Sequence, residues 1–470
     1  MPHASTQTER TAQPQTGALQ HESKAALDAA IVRLRKLLKE TPGHEQHLLA
    51  LSKAMIRRFI LAGEMKDIAN ALVFLRHTPP PTLEEFGTAT IAFHPELSPV
   101  EHVWVQWQPW LASEGYMLPS RYHPGWTPSW TIPPVQPSDQ FLMADNFGTM
   151  SRKFIYAVRV IDNFPVFLKV CARDGPDQEL VIVSRFSSQG IRNDPKNHCC
   201  PLLDVLRPPV RDGQENLIMV FPMLRALFDP DPDTIGELLE AITALAEGLE
   251  FMHEHNVAHR DIHYRNVMMD ASSLIPDGWD PYMRHITFAE DGNPRHIRPI
   301  RVLSRSSVPM KYYFIDFGLS SAFTSAEGRG YVTGTLGLNR TLPEQSNAVP
   351  YDPFPADVRM FGDMLRDWQT GFLGLSFLDQ SIVELRHDDP SQRPTAAELN
   401  AKLKALVASR SRLSLDAPLR RRYTGKSYTK AWIKFAARSI GKVFRASLDD
   451  TPKNRICEQD SSGAGLEFLR

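Results

Sequence analysis

Cysteine is scarce in this 470-residue chain: Cys171, Cys199, Cys200 and Cys457 are the whole complement. Four thiols, two of them adjacent, make neither a disulfide framework nor a CxxC zinc pair, so a reducing compartment is expected. Net charge is nearly absent as well. Lys+Arg 53 against Asp+Glu 54 leaves -1, which argues against a globally basic nucleic-acid binder and against an acidic solvating chain. No apolar run reaches the roughly 18 residues of a membrane span, and residues 1–20 lack the apolar stretch of a secretory signal. The expectation is an intracellular, cytoplasmic protein with no nucleic-acid partner. What is present is an ordinary globular composition, 42% hydrophobic and 23% charged, sufficient for a sizeable core. Proline, at 37 residues, predicts rigid connecting segments.

Along the chain, residues 1–23 read as a polar disordered tail. Residues 24–81 carry helical periodicity: Leu27, Ile31, Leu34 and Leu38 step by three and four, and Pro42-Gly43 ends that helix. Leu27–Arg35 matches Ile68–Arg76 at an offset of 41 residues, a period that resembles tetratricopeptide-type repeats. About one and a half units do not bury their own stacked faces, so this fragment is expected to lean on the rest of the chain. Residues 82–140 are rich in Pro and hold Trp104, Trp107, Trp110, Trp126 and Trp130. These are expected to anchor an irregular segment onto a neighbouring domain.

The chemistry concentrates further on. His259-Arg260-Asp261-Ile262-His263-Tyr264-Arg265-Asn266 follows a helical stretch and precedes the apolar Val267-Met268-Met269. Fifty residues past Asn266 comes Tyr313-Phe314-Ile315-Asp316-Phe317-Gly318. An apolar strand delivering Asp-Phe-Gly after HRDxxxxN resembles the eukaryotic protein kinase family. Leu342-Pro343-Glu344, Asp357 and Asp389–Thr395 resemble that family's later elements, with Arg393 expected to pair with Glu344. Pro165-Val-Phe-Leu-Lys169-Val170 looks like the strand whose Lys holds the nucleotide phosphates, and Glu179 is chosen as its partner on the following helix. The resemblance covers about residues 141–408. With the repeat-like helices, the Trp/Pro-rich lead-in and a long insertion at 271–310, the whole looks like a lineage-expanded group of fungal protein-kinase-like proteins.

The resemblance implies an α+β, two-lobed protein kinase fold, with a small β-rich N-lobe and a mainly helical C-lobe. ATP and Mg²⁺ are the implied cofactors. Asp261 would orient the acceptor hydroxyl, while Asn266 and Asp316 would ligate the metal. Lys169 would hold phosphates, and Arg265 would supply the charge that Ser/Thr kinases take from a Lys at the position of His263. Pro222 and Leu224, in the hinge after Phe221, would meet the adenine edge. The glycine loop is poor: in Phe147-Gly148-Thr149-Met150 only Gly148 remains to approach phosphate. The insertion is expected to be a surface excursion.

The implied activity is transfer of the γ-phosphate to a protein hydroxyl, Ser or Thr, although the position of Arg265 does not separate these from Tyr. A pseudokinase scaffold and a small-molecule phosphotransferase, favoured by the eroded glycine loop and by His263 respectively, are the alternatives. Residues 409–470 form a tail. Its 420–445 stretch holds nine basic and no acidic residues, and an amphipathic helix is expected at about 427–445. It fits an anionic membrane surface or a partner protein.

Overall fold

The computed structural model describes residues 23–132 apart from 42 and 77, then 143–172, 178–282 apart from 212, 284–288 and 297–422. The expected polar tail, up to residue 22, and the amphipathic helix at about 427–445 lie outside the described residues.

Three helices open the described chain: α1 (Lys24–Glu40), α2 (Glu45–Ala62) and α3 (Met65–Arg76). Ser23 caps α1 by accepting from the Ala26 N–H, and Gly63 ends α2 in the left-handed region at φ 74°. The apolar stripes predicted from the spacing face inward, burying Leu27 and Ile31 on α1 and Ile68, Ala71 and Leu75 on α3. Arg58 of α2 ties all three together, donating to Asp28 Oδ1 at 2.6 Å and to Asp67 Oδ2 at 2.7 Å.

A fourth helix, α4 (His102–Ser113), follows. Its three tryptophans, Trp104, Trp107 and Trp110, are buried. The segment expected to be irregular is thus in part a helix, and its aromatics are core. They pack on a five-stranded antiparallel sheet ordered β1-β2-β3-β5-β4. The strands are β1 (Tyr116–Met117), β2 (Phe154–Arg159), β3 (Phe164–Ala172), β4 (Asp204–Leu206) and β5 (Asn216–Pro222), with helix α5 (Gln178–Phe186) inserted between β3 and β4. The period-two alternation of a strand divides β3 between two cores. Val166 and Leu168 face the tryptophans, while Phe167 and Lys169 face the other side, towards α5.

After β5 the chain crosses into a mainly helical lobe. It contains the short strand β6 (Arg225–Ala226) and the long helix α6 (Ile235–Glu254), capped by Thr234. Strands β7 (Val257–Ala258) and β8 (Val267–Asp270) bracket the HRD loop. The described part of the insertion holds a strand pair, β9 (Ile286–Phe288) with β10 (Ile297–Pro299). Strand β11 (Lys311–Phe314) pairs with β8, which pairs with β6. Then come β12 (Ser321–Ala322), α7 (Pro353–Gly371), α8 (Asp379–Leu385) and α9 (Ala396–Ala408). A β-rich region followed by a helical one, joined by a single linker, is a two-lobed kinase-like fold.

One expectation changes here. The insertion is not a simple surface excursion. Leu274 and Ile275 are buried, and Arg305 is 3% exposed and donates to the Pro230 carbonyl at 2.6 Å. Tyr282 packs edge-on against Tyr156 of β2, ring centroids 5.3 Å apart, and its hydroxyl meets that of Tyr122. The insertion therefore spans from the large lobe to the small one. The start of the basic tail is also engaged: Arg421 pairs with Asp231 at 2.6 Å and Arg422 donates to the Thr370 carbonyl at 3.2 Å.

Candidate active site

The lobes enclose a cleft of about 900 Å³. Lys169 enters from β3 and Glu179 from the first turn of α5. Asp316 comes from the turn after β11, where its backbone is held in the left-handed region at φ 63°. That conformation costs a non-glycine residue of order 1–3 kcal/mol and persists only when its surroundings impose it. They do: the Lys169 Nζ donates to Glu179 Oε1 at 2.6 Å and to Asp316 Oδ1 at 2.7 Å. Burial alone would lower the pKa of the Lys169 ammonium, but Glu179 and Asp316 together hold it above its ordinary value. Burial would likewise raise Asp316, and Lys169 outweighs it, so the carboxylate titrates below its usual range. Gly318 packs closely beside it: a Cβ there would lie 3.2 Å from Asp316 Oδ1, a tight contact.

The HRD loop is positioned by a carboxylate that never reaches the cleft. Asp357, fully buried near the start of α7, accepts the His259 N–H through Oδ2 and the Arg260 N–H through Oδ1, both at 2.7 Å. Burial keeps His259 neutral by lowering its pKa, and its Nε2 meets the Ile315 carbonyl at 3.1 Å, linking the HRD and DFG turns. Arg260 reaches the activation segment, donating to the Thr333 carbonyl at 2.7 Å and to Ser321 Oγ at 3.0 Å.

Asp261 Oδ2 accepts from Asn266 Nδ2 at 3.0 Å and has His263 Nε2 at 3.4 Å, while Oδ1 accepts the Leu338 N–H at 2.9 Å. Burial raises the Asp261 pKa, but the His263 contact and the Leu338 N–H prevail and hold it below its ordinary value. Gly337 makes this approach possible, since a Cβ there would stand 2.8 Å from Asp261 Oδ1. His263 and Leu338 were not expected as partners of Asp261. His263 was legible from its spacing, whereas the long-range Leu338 contact was not.

Of the other expected residues, Pro222, Leu224 and Arg265 line the cleft. Arg265 is exposed, its Nε donating to the neighbouring Tyr264 hydroxyl at 3.0 Å. Gly148 requires a correction. It does not line the cleft but sits on the buried Glu101–Arg121 ion pair, and a Cβ there would be 2.1 Å from Glu101 Oε1. Strand β1 comes from Tyr116–Met117, pairing with Arg159 and Val158, so a long excursion stands where a short glycine hairpin was sought. The residues that approach the cleft from that side are Arg152, Lys153 and Phe154. Phe154 stacks on Phe167 at 5.7 Å, an aromatic roof whose signal was the Phe two positions before Lys169. The expected Arg393–Glu344 pair is present and bidentate, with a second bond of 3.0 Å and no exposure of the Arg393 side chain.

The donor chemistry suits Mg²⁺. Asn266 spends its Nδ2 on Asp261, which leaves Oδ1 as a hard oxygen ligand, and the Asp316 carboxylate is half-exposed. Mg²⁺ is usually held by one or two protein carboxylate or amide oxygens with phosphates and water completing its shell.

Fold and site together define a kinase-like two-lobed protein. The family model for protein tyrosine and serine/threonine kinases matches residues 166–278, a span that includes Lys169, Glu179, Asp261 and Asn266 and stops before Asp316. A protein-kinase-like domain is therefore present, preceded by N-terminal helices. No curated protein matches the chain. No helix among the described residues is long and apolar enough to cross a membrane.

Proposed function

We propose that the protein is an ATP-dependent protein kinase that transfers the γ-phosphate of Mg·ATP to a protein hydroxyl, Ser or Thr. The observation that supports this best is the Lys169–Glu179–Asp316 ion network in the cleft, with the loop of the Asp261–Asn266 pair tied to the Asp316 turn by the His259 Nε2–Ile315 carbonyl contact and the Ile315 N–H–Asn266 carbonyl bond. Lys169 binds phosphate while its own charge is balanced. Asn266 and Asp316 are the residues that would hold Mg²⁺, which supplies charge neutralisation between phosphates. Asp261, kept ionised, accepts the hydrogen bond of the acceptor hydroxyl and aims its oxygen. Arg265 adds positive charge at the mouth, and the hinge backbone at Pro222 and Leu224 orients the base.

A scaffold reading, with the fold kept and turnover lost, is favoured by one specific observation: Gly148 does not line the cleft and serves the Glu101–Arg121 pair instead. The His263 contact with Asp261 favours a small-molecule phosphotransferase more weakly. The basic segment 420–445, whose Arg421 and Arg422 pack on the large lobe, is proposed as a contact to an anionic membrane or a partner protein through its remaining basic residues.

The test is Mg·ATP binding by calorimetry, together with γ-phosphate transfer to the chain itself and to protein acceptors. Wild type is compared with Asp261→Asn and Asp316→Asn. Transfer by wild type and a loss of about 100-fold or more in each variant supports the reading. Binding without transfer selects the scaffold, and transfer only to small alcohols selects the third reading.

A further inference from the structure

Helix α5 has nine residues, too few to be stable on its own, yet it carries Glu179 in its first turn. Inside the kinase-like domain Phe186 packs on Phe251 and Phe317, and part of what holds the helix is found outside that domain. At the C-terminal end of α5, the Gln189 N–H donates to the Gly63 carbonyl at 2.6 Å. A Cβ on residue 63 would lie 2.0 Å from Gln189 N, so only glycine permits this approach. Three residues later Arg192 turns back onto α2. Its Nη1 donates to the Ile60 carbonyl at 2.7 Å and its Nη2 to the Leu61 carbonyl at 2.6 Å. Those are last-turn carbonyls with no partner inside the helix, at the negative end of its dipole. One guanidinium thus joins segments about 130 positions apart.

Apolar packing runs along the same seam. Leu180 and Val183 of α5 share a buried cluster with Met55, Phe59, Ile68 and Leu75. Beyond α3 the chain also grips the end of β4, where Arg207 Nη1 donates to Thr78 Oγ1 at 2.8 Å and the Val210 N–H to the Pro81 carbonyl at 3.1 Å. The helical unit holds both α5 and the sheet edge beside it, and Arg58 keeps that unit rigid.

We propose that α1–α3 are a built-in positioning unit for α5, and that Arg192 is the positioning residue through which they keep Glu179 against Lys169. This rests on the reading of the cleft as a Mg·ATP site. Its consequence is that nucleotide affinity is set partly by residues 24–81, which touch no nucleotide.

The experiment uses the full chain with Arg192→Ala, Arg192→Lys, Glu179→Gln and the double variant Arg192→Ala/Glu179→Gln. Amide hydrogen exchange of residues 178–186 is measured without nucleotide, and Mg·ATP affinity by calorimetry. The expected result for Arg192→Ala is faster exchange confined to α5 and affinity about tenfold weaker. Arg192→Lys, which keeps one charge–carbonyl contact, should fall between. The double variant should bind no more weakly than Glu179→Gln alone, because both act through one ion pair. Unchanged exchange in 178–186, or effects of the two substitutions that multiply, overturns the proposal. If wild type binds no Mg·ATP, the proposed function fails separately. The exchange measurement then decides: acceleration in α5 supports the positioning role and its absence ends it. Arg192→Lys keeps the test available should the alanine variant fail to fold.

Discussion

The decisive contest at the residue scale is between burial and pairing around Lys169. Desolvation opposes an ammonium in the cleft, and two carboxylates at 2.6 and 2.7 Å overcome it. Because the Lys169 pKa is raised, its share of stability is complete below the ordinary lysine value and fades only as pH rises through the raised one. Because the Asp316 pKa is lowered, its share is complete above the ordinary carboxylate range and fades as pH falls through the lowered one. The network is then intact from about pH 5 to about pH 9. The destabilisation caused by Lys169→Met should accordingly be constant across that window in urea titrations. A strong pH dependence inside it would contradict the network. Asp261 behaves alike, its pKa held down in part by His263. Replacing His263 with Gln should move the acid limb of kcat/KM to higher pH; a limb that stays in place would show that His263 does not tune Asp261.

The individual elements divide by how local their cause is. The apolar stripes of α1 and α3, the strand before Lys169 and the strand before Asp316 all follow from periodicity, and each lies where its pattern places it. The sequence does not separate the two roles of Gly148, because a short Gly-containing stretch near a strand looks the same whether it cradles a phosphate or fits over a buried ion pair. Only the neighbours Glu101 and Arg121 tell the two apart. The Trp-rich stretch hid a helix because Pro109 sits inside it, a residue that usually argues against one. Arg58 acts between elements. It is 12% exposed and Asp67 not at all, so Arg58→Ala leaves a buried carboxylate unpaired. That should cost about 3 kcal/mol, read as a lower urea midpoint at an unchanged slope. A shift near zero would show that the three helices do not depend on this residue.

For the molecule as a whole, the lobes are joined by more than the hinge. Tyr282 of the insertion is pushed up to about 12 by burial and lies against Tyr156 and Tyr122 of the small lobe. Kinase-type clefts admit and release nucleotide through lobe opening, and a second tether should slow it. In Tyr282→Ala, Mg·ADP release measured by stopped flow should quicken several-fold, with greater susceptibility to limited proteolysis near the hinge. Release at the wild-type rate would mean that the contact does not restrain opening.

Most residues of the candidate site and the order in which they occur could be read from the chain, since HRDxxxxN, the Asp-Phe-Gly turn and the Lys strand are contiguous patterns that resemble those of the kinase family. Of their partners, Glu179 on Lys169 could be read through the resemblance, and the others could not. Leu338 on Asp261, Asp357 beneath the HRD turn, Arg192 on the end of α2 and Tyr282 on Tyr156 join positions far apart in the chain. No local pattern encodes such pairs. They arise only when packing brings distant segments together and leaves each buried polar group to find an acceptor or donor within reach.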